Sequence, residues 1–520
     1  MTLHGTVRLA TTLLAALVAS SAGAQAADPV RLYQQHCAAC HGADRLGGMG
    51  PALLPENLAR LRRGEAQKVI AAGRPATQMP GFSAELDAAA VEALAKFVYT
   101  PLPELPVWGE QEIRRSRLEH VKSGTLSAQP TFKADPLNLF VVVESGDHHV
   151  TILDGDRFEP IHRFASRFAL HGGPKFTPDG RFVFFASRDG WISKFDLYNL
   201  KTVAEIRAGI NTRNAAVSGD GRYVMVANYL PHTLVLLDAD LNLIKVLEAR
   251  DREGKQSSRV SAVYDAPPRN SFVAALKDIP EVWEVSYDEH AEPIPTGLVH
   301  DFRYKEGAFI PGRFNPRRSV LTEYLDDFFF TPDYRELMAT SRDGGQGQVV
   351  QLDVRRKIAA VDIAGMPHLG SGITWNYQGR TVMATPNLKQ GLVSVIDIKE
   401  WKKVKDIATN GPGFFMRSHE NTPYAWVDAM MSPRRDTLQV IDKRTLEVVG
   451  EVRPEPGKTL AHVEFTRDGR YVLASLWEMD GAIIVFDAAT LKEVKRIPMR
   501  KPAGKYNVYN KITRSEGTSH

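Results

Sequence analysis

The sequence predicts an α-helical domain at the amino-terminal end followed by an all-β propeller with eight blades. Three observations carry the prediction. Helical patterns run up to Tyr99, a proline-rich stretch (TPLPELPVWG) begins at Thr100, and from about Asn138 the chain repeats a strand-rich unit. The repeat favours a propeller because a single blade cannot bury its own faces, so that neighbouring blades must cover them.

The first residues have the pattern of a secretory signal peptide. Arg8 precedes the apolar run LATTLLAALVA, and the small-residue stretch SSAGAQAADP follows it. The run is too short to span a bilayer, and small residues offer a cleavage site after Ala26 or Ala27. We assign residues 1–26 to a signal peptide and expect a periplasmic protein. No later stretch approaches the length of an apolar span, so we expect no integral membrane segment.

The composition is that of an ordinary globular chain, with 43% hydrophobic residues, 24% charged residues and a formal net charge of +4. Lys and Arg are scattered, and the densest groups, such as Arg114-Arg115 and Arg317-Arg318, are short. A nucleic-acid partner would need a clustered basic face. We therefore expect no nucleic-acid partner.

The only two cysteines of the chain, Cys37 and Cys40, lie in HCAACH directly before His41. In an exported protein they could form a disulfide or a thioredoxin-like redox pair. The adjacent histidine favours a third interpretation, because C-x-x-C-H lets two thiols attach a haem covalently while the histidine binds the iron. We expect a covalent haem c with His41 as one axial ligand.

The second axial ligand of the haem c is predicted at Met79. A haem that carries electrons commonly uses Met or His here, and a methionine raises the reduction potential. Met79 lies in a Gly/Pro-rich loop, followed by a helical pattern that Ser83 is expected to cap. Met49 in GGMGPAL is the competing candidate. About residues 28–101 resemble small class I c-type cytochromes, in which a Met-Pro loop supplies this ligand, and we assign residues 27–101 to a cytochrome c domain.

Eight copies of the repeat follow this domain. Three clear copies begin at Phe176, Val217 and Phe465, each with a D-G turn, an alternating strand, a loop, a second strand ending in Asp and a third strand. Degenerate copies begin near Asn138, Tyr264, Phe330, Trp375 and His419. We assign residues 102–133 to a linker and 134–520 to the propeller, whose central channel offers a ligand site.

Four segments resemble the cytochrome cd1 family, in which a small cytochrome c domain precedes an eight-bladed propeller that binds haem d1. They are PVWGEQEIRRSRLEHV after the helical domain, LHGGPKFTPDGRFVFFASRDG around His171, MPHLGSG around His368 and GKYNVYN near the carboxyl end. The resemblance covers nearly all of the chain behind the signal peptide. It implies a propeller of the haem d1 type with His171 as the proximal iron ligand.

The resemblance also implies which side chains hold the ring. Haem d1 carries several carboxylates, so fixed cations and hydrogen-bond donors should bind it. Arg213 and Tyr229 match family positions on the ring, and Arg259, Lys277 and Trp477 match more weakly. The alternative interpretation for each is a surface charge or an aromatic side chain that packs a blade.

The distal pocket departs from that of the nitrite reductases in this family. Those enzymes use two histidines to protonate nitrite; one is present here as His368, whereas Asp326 in YLDDFFF stands at the position of the other. Ser371 also replaces an arginine of the family's P-H-P-G-R pattern, which reads P-H-L-G-S here. A site without this proton donor and this cation is poorly suited to nitrite reduction.

The altered pocket resembles that of the dihydro-haem d1 dehydrogenases of the same family. The resemblance implies an oxidoreductase of haem d1 biosynthesis that converts a propionate of dihydro-haem d1 to an acrylate and passes the electrons to haem c. A base must take a proton, and His419, His462 and His368 are the candidates, any of which could instead bind the iron. We favour His419, which is expected, like His462, just before a blade strand in a place equivalent to that of His171.

Two alternatives stay open: a cytochrome cd1-type nitrite reductase that forms NO, and a non-enzymatic protein that binds and delivers haem d1. For the dehydrogenase, the expected partners are dihydro-haem d1, a periplasmic electron acceptor, and the cytochrome cd1 nitrite reductase as recipient of haem d1.

Overall fold

The computed structural model describes Met1, Thr2 and residues 28–514, except positions 49, 60, 74–78, 105, 123, 302–305, 342–345 and 364. Apart from its first two residues, the predicted signal peptide lies outside the described residues, and so does the competing ligand candidate Met49. No helix in the described part of the chain is both long enough and apolar enough to cross a membrane.

In the described part of the amino-terminal domain, four helices surround a small apolar core. They are α1 (Pro29–His36), α2 (Ala38–His41), α3 (Arg63–Ala72) and α4 (Ala88–Val98). Helices α1 and α3 both pack on α4, where Tyr33, Ile70 and Leu94 are buried. This packing stabilises the helices, because helices of such length are marginal on their own.

The start of α4 corrects the prediction for Ser83. Helix α4 begins at Ala88, and its N-cap is Asp87, whose carboxylate accepts a hydrogen bond from the Ala90 N–H at 2.8 Å. Ser83 instead belongs to a separate turn closed by the carbonyl of Phe82. Ser and Asp cap helices about equally well, so the residue types alone did not separate the two positions.

The predicted linker, residues 102–133, contains α5 (Glu110–Arg115) and β1 (Leu118–Glu119). The remaining strands form eight four-stranded antiparallel sheets, the predicted blades, numbered 1 to 8 along the chain, together with one separate hairpin in the described residues. Strand β1 adds a fifth strand to the outer edge of blade 2, so the linker is part of the folded ring.

The strands of the first four blades follow in chain order. Blade 1 begins with β2 (Leu139–Glu144), β3 (His149–Asp154) and β4 (Glu159–Ala165); blade 2 has β5 (Lys175–Phe176), β6 (Phe182–Ala186), β7 (Trp191–Asp196) and β8 (Lys201–Arg207); blade 3 has β9 (Asn211–Val217), β10 (Tyr223–Leu230), β11 (Thr233–Asp238) and β12 (Leu243–Glu248); blade 4 has β13 (Val260–Ala266), β14 (Ser271–Leu276), β15 (Glu281–Ser286) and, after the hairpin of β16 (Ile294–Asp301) and β17 (Glu306–Ile310), β18 (Pro316–Val320).

The last four blades have the same construction. Blade 5 has β19 (Leu325–Phe330), β20 (Glu336–Ser341), β21 (Gln346–Gln351) and β22 (Arg356–Asp362); blade 6 has β23 (Ile373–Tyr377), β24 (Arg380–Pro386), β25 (Leu392–Asp397) and β26 (Lys402–Ala408); blade 7 has β27 (Met416–Ser418), β28 (Tyr424–Asp428), β29 (Leu438–Asp442) and β30 (Glu447–Val452); blade 8 has β31 (Leu460–Phe465), β32 (Tyr471–Leu476), β33 (Gly481–Asp487) and β34 (Glu493–Met499).

The end of the chain closes the ring. Strand β35 (Pro502–Asn507) pairs with β2 as the inner strand of blade 1, and α6 (Val508–Thr513) follows it. An apolar cluster also lies between every two neighbouring blades, including the last and the first. Each blade therefore buries both faces only when the ring is complete.

The predicted D-G turns join the first strand of a blade to its second. In three of them, at Thr177, Ser218 and Thr466, a hydroxyl donates to the aspartate two residues later at 2.5–2.6 Å. Thr331 of blade 5 makes the same contact with Asp333 at 2.6 Å, although Tyr334 follows that aspartate in place of a glycine. We call the end of the ring with these turns the lower face, and the opposite end, where the first strands begin, the upper face. First strands of neighbouring blades adjoin one another and line the channel.

Candidate functional site

The haem-attachment segment lies where α1 ends and α2 begins. Cys37 is buried, Cys40 is half-buried, and both are free thiols. His41 is also buried, and its Nδ1 lies 2.8 Å from the carbonyl oxygen of Pro51. Donation from Nδ1–H to this carbonyl leaves the Nε2 lone pair for an iron. The pKa of His41 is lowered by burial, which favours the neutral, ligating form.

Two observations fit a haem c at this segment better than a redox dithiol. Burial raises the pKa of Cys37 to about 11, whereas nucleophilic redox cysteines need a lowered pKa. A Cβ on Gly50 would lie 2.7 Å from His41 Cε1, so the backbone closes tightly against the imidazole. Met79 lies half-buried in the loop between α3 and α4, and its role as second ligand stays a prediction.

His171 lies at the upper face, four residues before β5, in a loop fixed by hydrogen bonds. Its N–H donates to the carbonyl of Ala186, and its Nδ1 lies 2.8 Å from the carbonyl oxygen of Arg213. One nitrogen of the Arg213 guanidinium lies 3.1 Å from Nδ1 and 3.3 Å from Nε2 of His171. The structure thus brings together two residues predicted to serve the same ligand.

A second group of predicted residues surrounds Tyr229. The cationic groups of Arg259 and Lys277 lie 5.7 and 5.9 Å from the Tyr229 ring centroid. Each cation has a carboxylate partner: Asp278 binds Arg259 through both oxygens at 2.7 and 2.8 Å, and Asp326 forms an ion pair with Lys277. Asp326, predicted to stand at the place of the second reductase histidine, thus pairs with a cation at the upper face.

His368 precedes a one-turn 3-10 helix (Leu369–Ser371) and is buried against Phe414, with ring centroids 3.9 Å apart. Its Nδ1 lies 2.6 Å from the Phe414 carbonyl oxygen, and burial lowers its pKa to about 4. Asp327 raises this pKa slightly against the larger effect of burial, and also accepts the Gly370 N–H at 3.1 Å. His368 is therefore neutral near pH 7, and a poor proton donor there.

His462 lies inside β31, in the wall of the channel. Residues Ala461 and Val463 pair with consecutive residues of β32, so His462 is the extra residue of a β-bulge, with a left-handed φ of 51°. Its side chain is buried beside Phe415 and Tyr506, with ring centroids 4.7 and 5.0 Å away. Bulges re-aim side chains and occur next to active sites.

The surroundings of His462 keep it neutral. Burial lowers its pKa well below 6.5, and the nearby cations of Lys505, Arg417 and Lys511 lower it further. Lys505 Nζ is itself fully buried, 3.4 Å from His462 Nδ1 and 2.9 Å from the hydroxyl of Ser475. A neutral imidazole can accept a proton, as a general base must.

His419 does not occupy the expected place. It follows β27 in the turn to β28, at the lower face, whereas His171 lies before the first strand of its blade at the upper face. Its Nε2 lies 3.1 Å from the Arg467 carbonyl oxygen, and its Nδ1 accepts the Asn421 N–H at 3.1 Å. The predicted equivalence with His171 is wrong for His419, and also for His462, which lies within a strand rather than before one. The turn between the first and second strands of blade 7 has no D-G pair, so the strands of this blade could not be located from the turn pattern.

A cavity of about 820 Å³ opens beside His419 at the lower face. It is lined by first strands of blades 6 to 8, by turns of blade 7 and by α6, and its lining includes Arg417, Lys443 and Glu464. His419 and the upper-face group around His171 therefore lie at opposite ends of the channel.

Trp477, the last predicted ring contact, directs its indole N–H to the hydroxyl of Ser145 at 3.3 Å, so it links blade 8 to blade 1. Its backbone N–H donates to the Thr459 carbonyl at the upper end of blade 8. The structure places Trp477 on the upper face together with the other predicted ring contacts.

Several residues of the channel wall could not be identified from the sequence. Lys175 and Arg417 belong to first strands, and neither they nor Arg213 form an ion pair with any described carboxylate. Burial, aided by Arg417, lowers the pKa of Lys175 to about 7. Tyr506 lies in the GKYN segment of β35, and its pKa is raised by burial, so the phenol is protonated at neutral pH. Lys175 and Arg417 lie in strands of only two and three residues, which are too short for a period-two alternation to show which side chains face the channel.

The channel suits a large anion with hydrogen-bonding groups. Three buried or half-buried cations lack a carboxylate partner among the described residues, and the buried hydroxyl of Ser371 has no hydrogen-bond partner there. Uncompensated cations and an unsatisfied hydroxyl are costly unless a ligand pairs with them. These residues fit the carboxylate-rich ring that the sequence predicts.

Comparison with known proteins agrees with this geometry. The family described as Cytochrome D1 heme domain matches residues 134–313 and 312–511, and the family described as Cytochrome C oxidase, cbb3-type, subunit III, matches residues 24–98. These matches and the eight sheets confirm the predicted order of a cytochrome c domain and an eight-bladed propeller.

Two curated proteins and one solved structure are similar over most of the chain. The Dihydro-heme d1 dehydrogenase of Pseudomonas aeruginosa is 56% identical over 515 residues, which are 99% of this chain and 100% of that protein. Protein NirF of the same organism is 29% identical over 399 residues, 73% of this chain and 93% of NirF. The structure described as Dihydro-heme d1 dehydrogenase NirN in complex with DHE is 57% identical, with a TM-score of 0.87 over 93% of this chain and 100% of that one.

Proposed function

Because the chain belongs to the cytochrome d1 haem domain family, we propose that it is a dihydro-haem d1 dehydrogenase, an oxidoreductase of haem d1 biosynthesis. Its substrate is dihydro-haem d1, and the reaction converts one propionate side chain of the ring to an acrylate. The observation that carries the proposal is the buried, neutral His462 on a strained bulge of the channel wall, beside Tyr506.

The reaction breaks two C–H bonds of the side chain and forms one C=C bond, so two protons and two electrons leave. His462 takes the first proton, since its imidazole is neutral and lies buried in the wall of the channel. The second proton leaves to water after the ring has lost its electrons. The protonated Tyr506 phenol next to His462 orients the side-chain carboxylate by donating a hydrogen bond.

Cys37, Cys40, His41 and Met79 would hold haem c, which would supply a one-electron acceptor between the substrate and an external acceptor. The residues at the upper face bind the substrate. His171 ligates its iron through Nε2, for which the Arg213 guanidinium, now 3.3 Å from that atom, must move toward a ring carboxylate. Lys175 and Arg417 balance further carboxylates.

The distal pocket supports dehydrogenation over nitrite reduction. Reduction of nitrite needs two proton donors near the iron, but His368 is neutral and Asp326 forms an ion pair with Lys277. With the predicted signal peptide, we place the reaction in the periplasm, with a periplasmic electron acceptor and the cytochrome cd1 nitrite reductase as recipient of haem d1.

The test is to mix the protein, with its haem c oxidised, with dihydro-haem d1 and to follow the haem c spectrum and the mass of the ring. The proposal expects reduction of haem c and the loss of two hydrogens from the ring. A ring that binds but keeps its mass under oxidising conditions would identify a binding and delivery protein. Formation of NO from nitrite with a reduced donor would identify a reductase.

A further inference from the structure

The two domains meet around one buried arginine of the propeller. The apolar part of the interface contains Ala52 and Leu54 from the cytochrome c domain and Ile210 and Leu230 from blade 3. Beside it, Arg207 at the end of β8 is only 6% exposed. A guanidinium at this depth must be held by many hydrogen bonds, because its charge cannot be neutralised by losing a proton.

Arg207 contacts three separate parts of the chain. Its Nη2 donates to the carbonyl of Leu46 at 2.5 Å, and its Nε donates to the carbonyl of Asp189 at 2.9 Å. Its guanidinium carbon lies 4.6 Å from the ring centroid of Trp108 in the linker, whose indole N–H donates to the Arg207 carbonyl at 2.9 Å. Arg207 thus joins the haem-attachment loop, the linker and blade 2.

The cytochrome side of this contact is the loop that follows His41. The N–H of Gly47 donates to the His41 carbonyl at 2.8 Å, one residue after the carbonyl that Arg207 binds. Gly47 has a left-handed φ of 85°, and a Cβ there would lie 2.8 Å from Ala52 N and 3.0 Å from Arg207 Nη2. The loop therefore fits the arginine closely and is fixed at both sides.

The propeller side leads to His171. Asp189, whose carbonyl binds Arg207, directly follows Arg188 in the chain. The carbonyl of Arg188 accepts the Thr212 N–H at 3.3 Å. The next residue, Arg213, holds His171 Nδ1 through its carbonyl at 2.8 Å. A continuous series of hydrogen bonds and short backbone segments thus connects the axial histidine of haem c with the histidine proposed to bind the substrate iron.

We propose that Arg207 is a positioning residue for electron transfer: it docks the haem c loop on the propeller and fixes the separation of the two redox centres. The inference rests on the proposed function, since it concerns the step in which electrons pass from the substrate to haem c. The rate of electron transfer depends on the relative positions of the two redox centres, just as the rates of other reactions depend on how their reactants are held. Lysine cannot replace Arg207 fully, because one ammonium cannot span both carbonyls in the fixed geometry of Nε and Nη2.

The experiment compares wild-type holoprotein with Arg207→Met and Arg207→Lys. The control is Arg114→Met, which removes an arginine that binds the carbonyl of Leu243 at 3.0 Å but does not contact the cytochrome c domain. Single-turnover reduction of haem c by dihydro-haem d1 should slow about tenfold or more in Arg207→Met and less in Arg207→Lys. Reduction of haem c by ascorbate, its potential and its spectrum should stay as in the wild type.

Amide hydrogen exchange in residues 42–54 provides a readout that does not depend on turnover. Arg207→Met should exchange faster there, with the Arg114→Met control unchanged. Wild-type rates of substrate-driven reduction in both Arg207 variants would overturn the inference, as would an equal loss with ascorbate. If the wild type itself does not reduce haem c with dihydro-haem d1, the proposed function fails. The docking role is tested separately: unchanged amide exchange in Arg207→Lys and Arg207→Met would overturn it.

Discussion

At the scale of single residues, His462 differs from the other candidate bases in its backbone. A non-glycine residue with φ near 51° costs on the order of 1–3 kcal/mol. Such strain persists only where surrounding structure holds it, and here β32, Phe415 and Lys505 do so. The bulge holds the imidazole between Phe415 and Tyr506 in the channel wall, whereas His419 binds backbone groups of its own turn and of the neighbouring turn of blade 8.

We expect His462→Gln to keep covalent haem c and substrate binding but to lower single-turnover dehydrogenation by about 10²–10⁴-fold, the usual contribution of a general base. Glutamine has hydrogen-bonding groups but cannot take the proton. His419→Gln is the matched control at the lower face and should react at the wild-type rate. The reverse ranking of the two variants in stopped-flow haem c reduction would assign the base to His419.

The lowered pKa of His462 predicts the pH dependence of the same step. The imidazole acts as a base only when neutral, and burial together with the cations Lys505, Arg417 and Lys511 holds its pKa well below 6.5. Protonation therefore begins only well below pH 6.5, and kcat/KM should stay level as the pH falls from neutral to that value. An acid limb at or above pH 6.5 would show a base in a more solvated position.

The position of Tyr506 depends on a glycine two residues before it. A Cβ on Gly504 would lie 2.6 Å from the Tyr506 hydroxyl oxygen and 2.9 Å from Cε2, so an alanine must displace the ring from its place beside His462. We expect Gly504→Ala to lower dehydrogenation at least about tenfold while the haem c spectrum is unchanged. Gly64→Ala, where a Cβ meets no atom within 4 Å, is the control. Equal rates in the two variants would remove Tyr506 from the mechanism.

Part of this site could be read from the sequence. The family resemblance assigned His171, Arg213 and Tyr229 to one ligand, and the structure brings them to one face. The bulge at His462 could not be predicted, because it depends on how two strands pair, and Tyr506 reaches the channel only through ring closure. These contacts are long-range, and local pattern does not encode them.

At the scale of elements, the clear blades are those whose turns have local signals. Thr177, Ser218 and Thr466 each close a D-G turn by binding an aspartate two residues on, so the pattern specifies the hairpin without distant partners. β1 and β35 lack such signals, since each pairs with a strand far along the chain. The linker prediction accordingly did not include β1.

Asn507, at the end of β35, stabilises the closure of the ring. Its side chain is fully buried, caps α6 by accepting the Asn510 N–H at 3.1 Å, and donates to Asn138 Oδ1 at 3.0 Å. We expect Asn507→Ala to lower the free energy of unfolding by about 1–3 kcal/mol, because a cap is lost and buried groups lose a partner. Denaturant unfolding measures this, with the exposed Asn242→Ala as control, for which a change below about 0.5 kcal/mol is expected. Similar values for the two variants would show that the closure does not depend on this contact.

At the scale of the whole molecule, the two domains act in sequence. The cytochrome c domain contacts the upper face through Asn57, whose amide donates to the Ile210 carbonyl at 3.3 Å, and through Arg207. The predicted substrate residues lie on the same face. Electrons released from a substrate in the channel therefore have an acceptor on the same side of the propeller. Whether electrons move toward haem c or away from it depends on whether the channel residues take protons from the ligand or donate protons to it.

The last prediction separates binding from electron removal. A Cys37→Ala, Cys40→Ala double variant cannot attach haem c, whereas the channel residues of the propeller are unchanged. Dihydro-haem d1 should still bind, as absorbance titration can show, but its mass should stay constant because no acceptor takes the two electrons. An added one-electron oxidant such as ferricyanide should restore the acrylate product, since His462 remains in place to take the proton. Full dehydrogenation by the double variant without an oxidant would contradict the role of haem c as acceptor, and failure with the oxidant would show that the propeller needs the haem c domain for more than electrons.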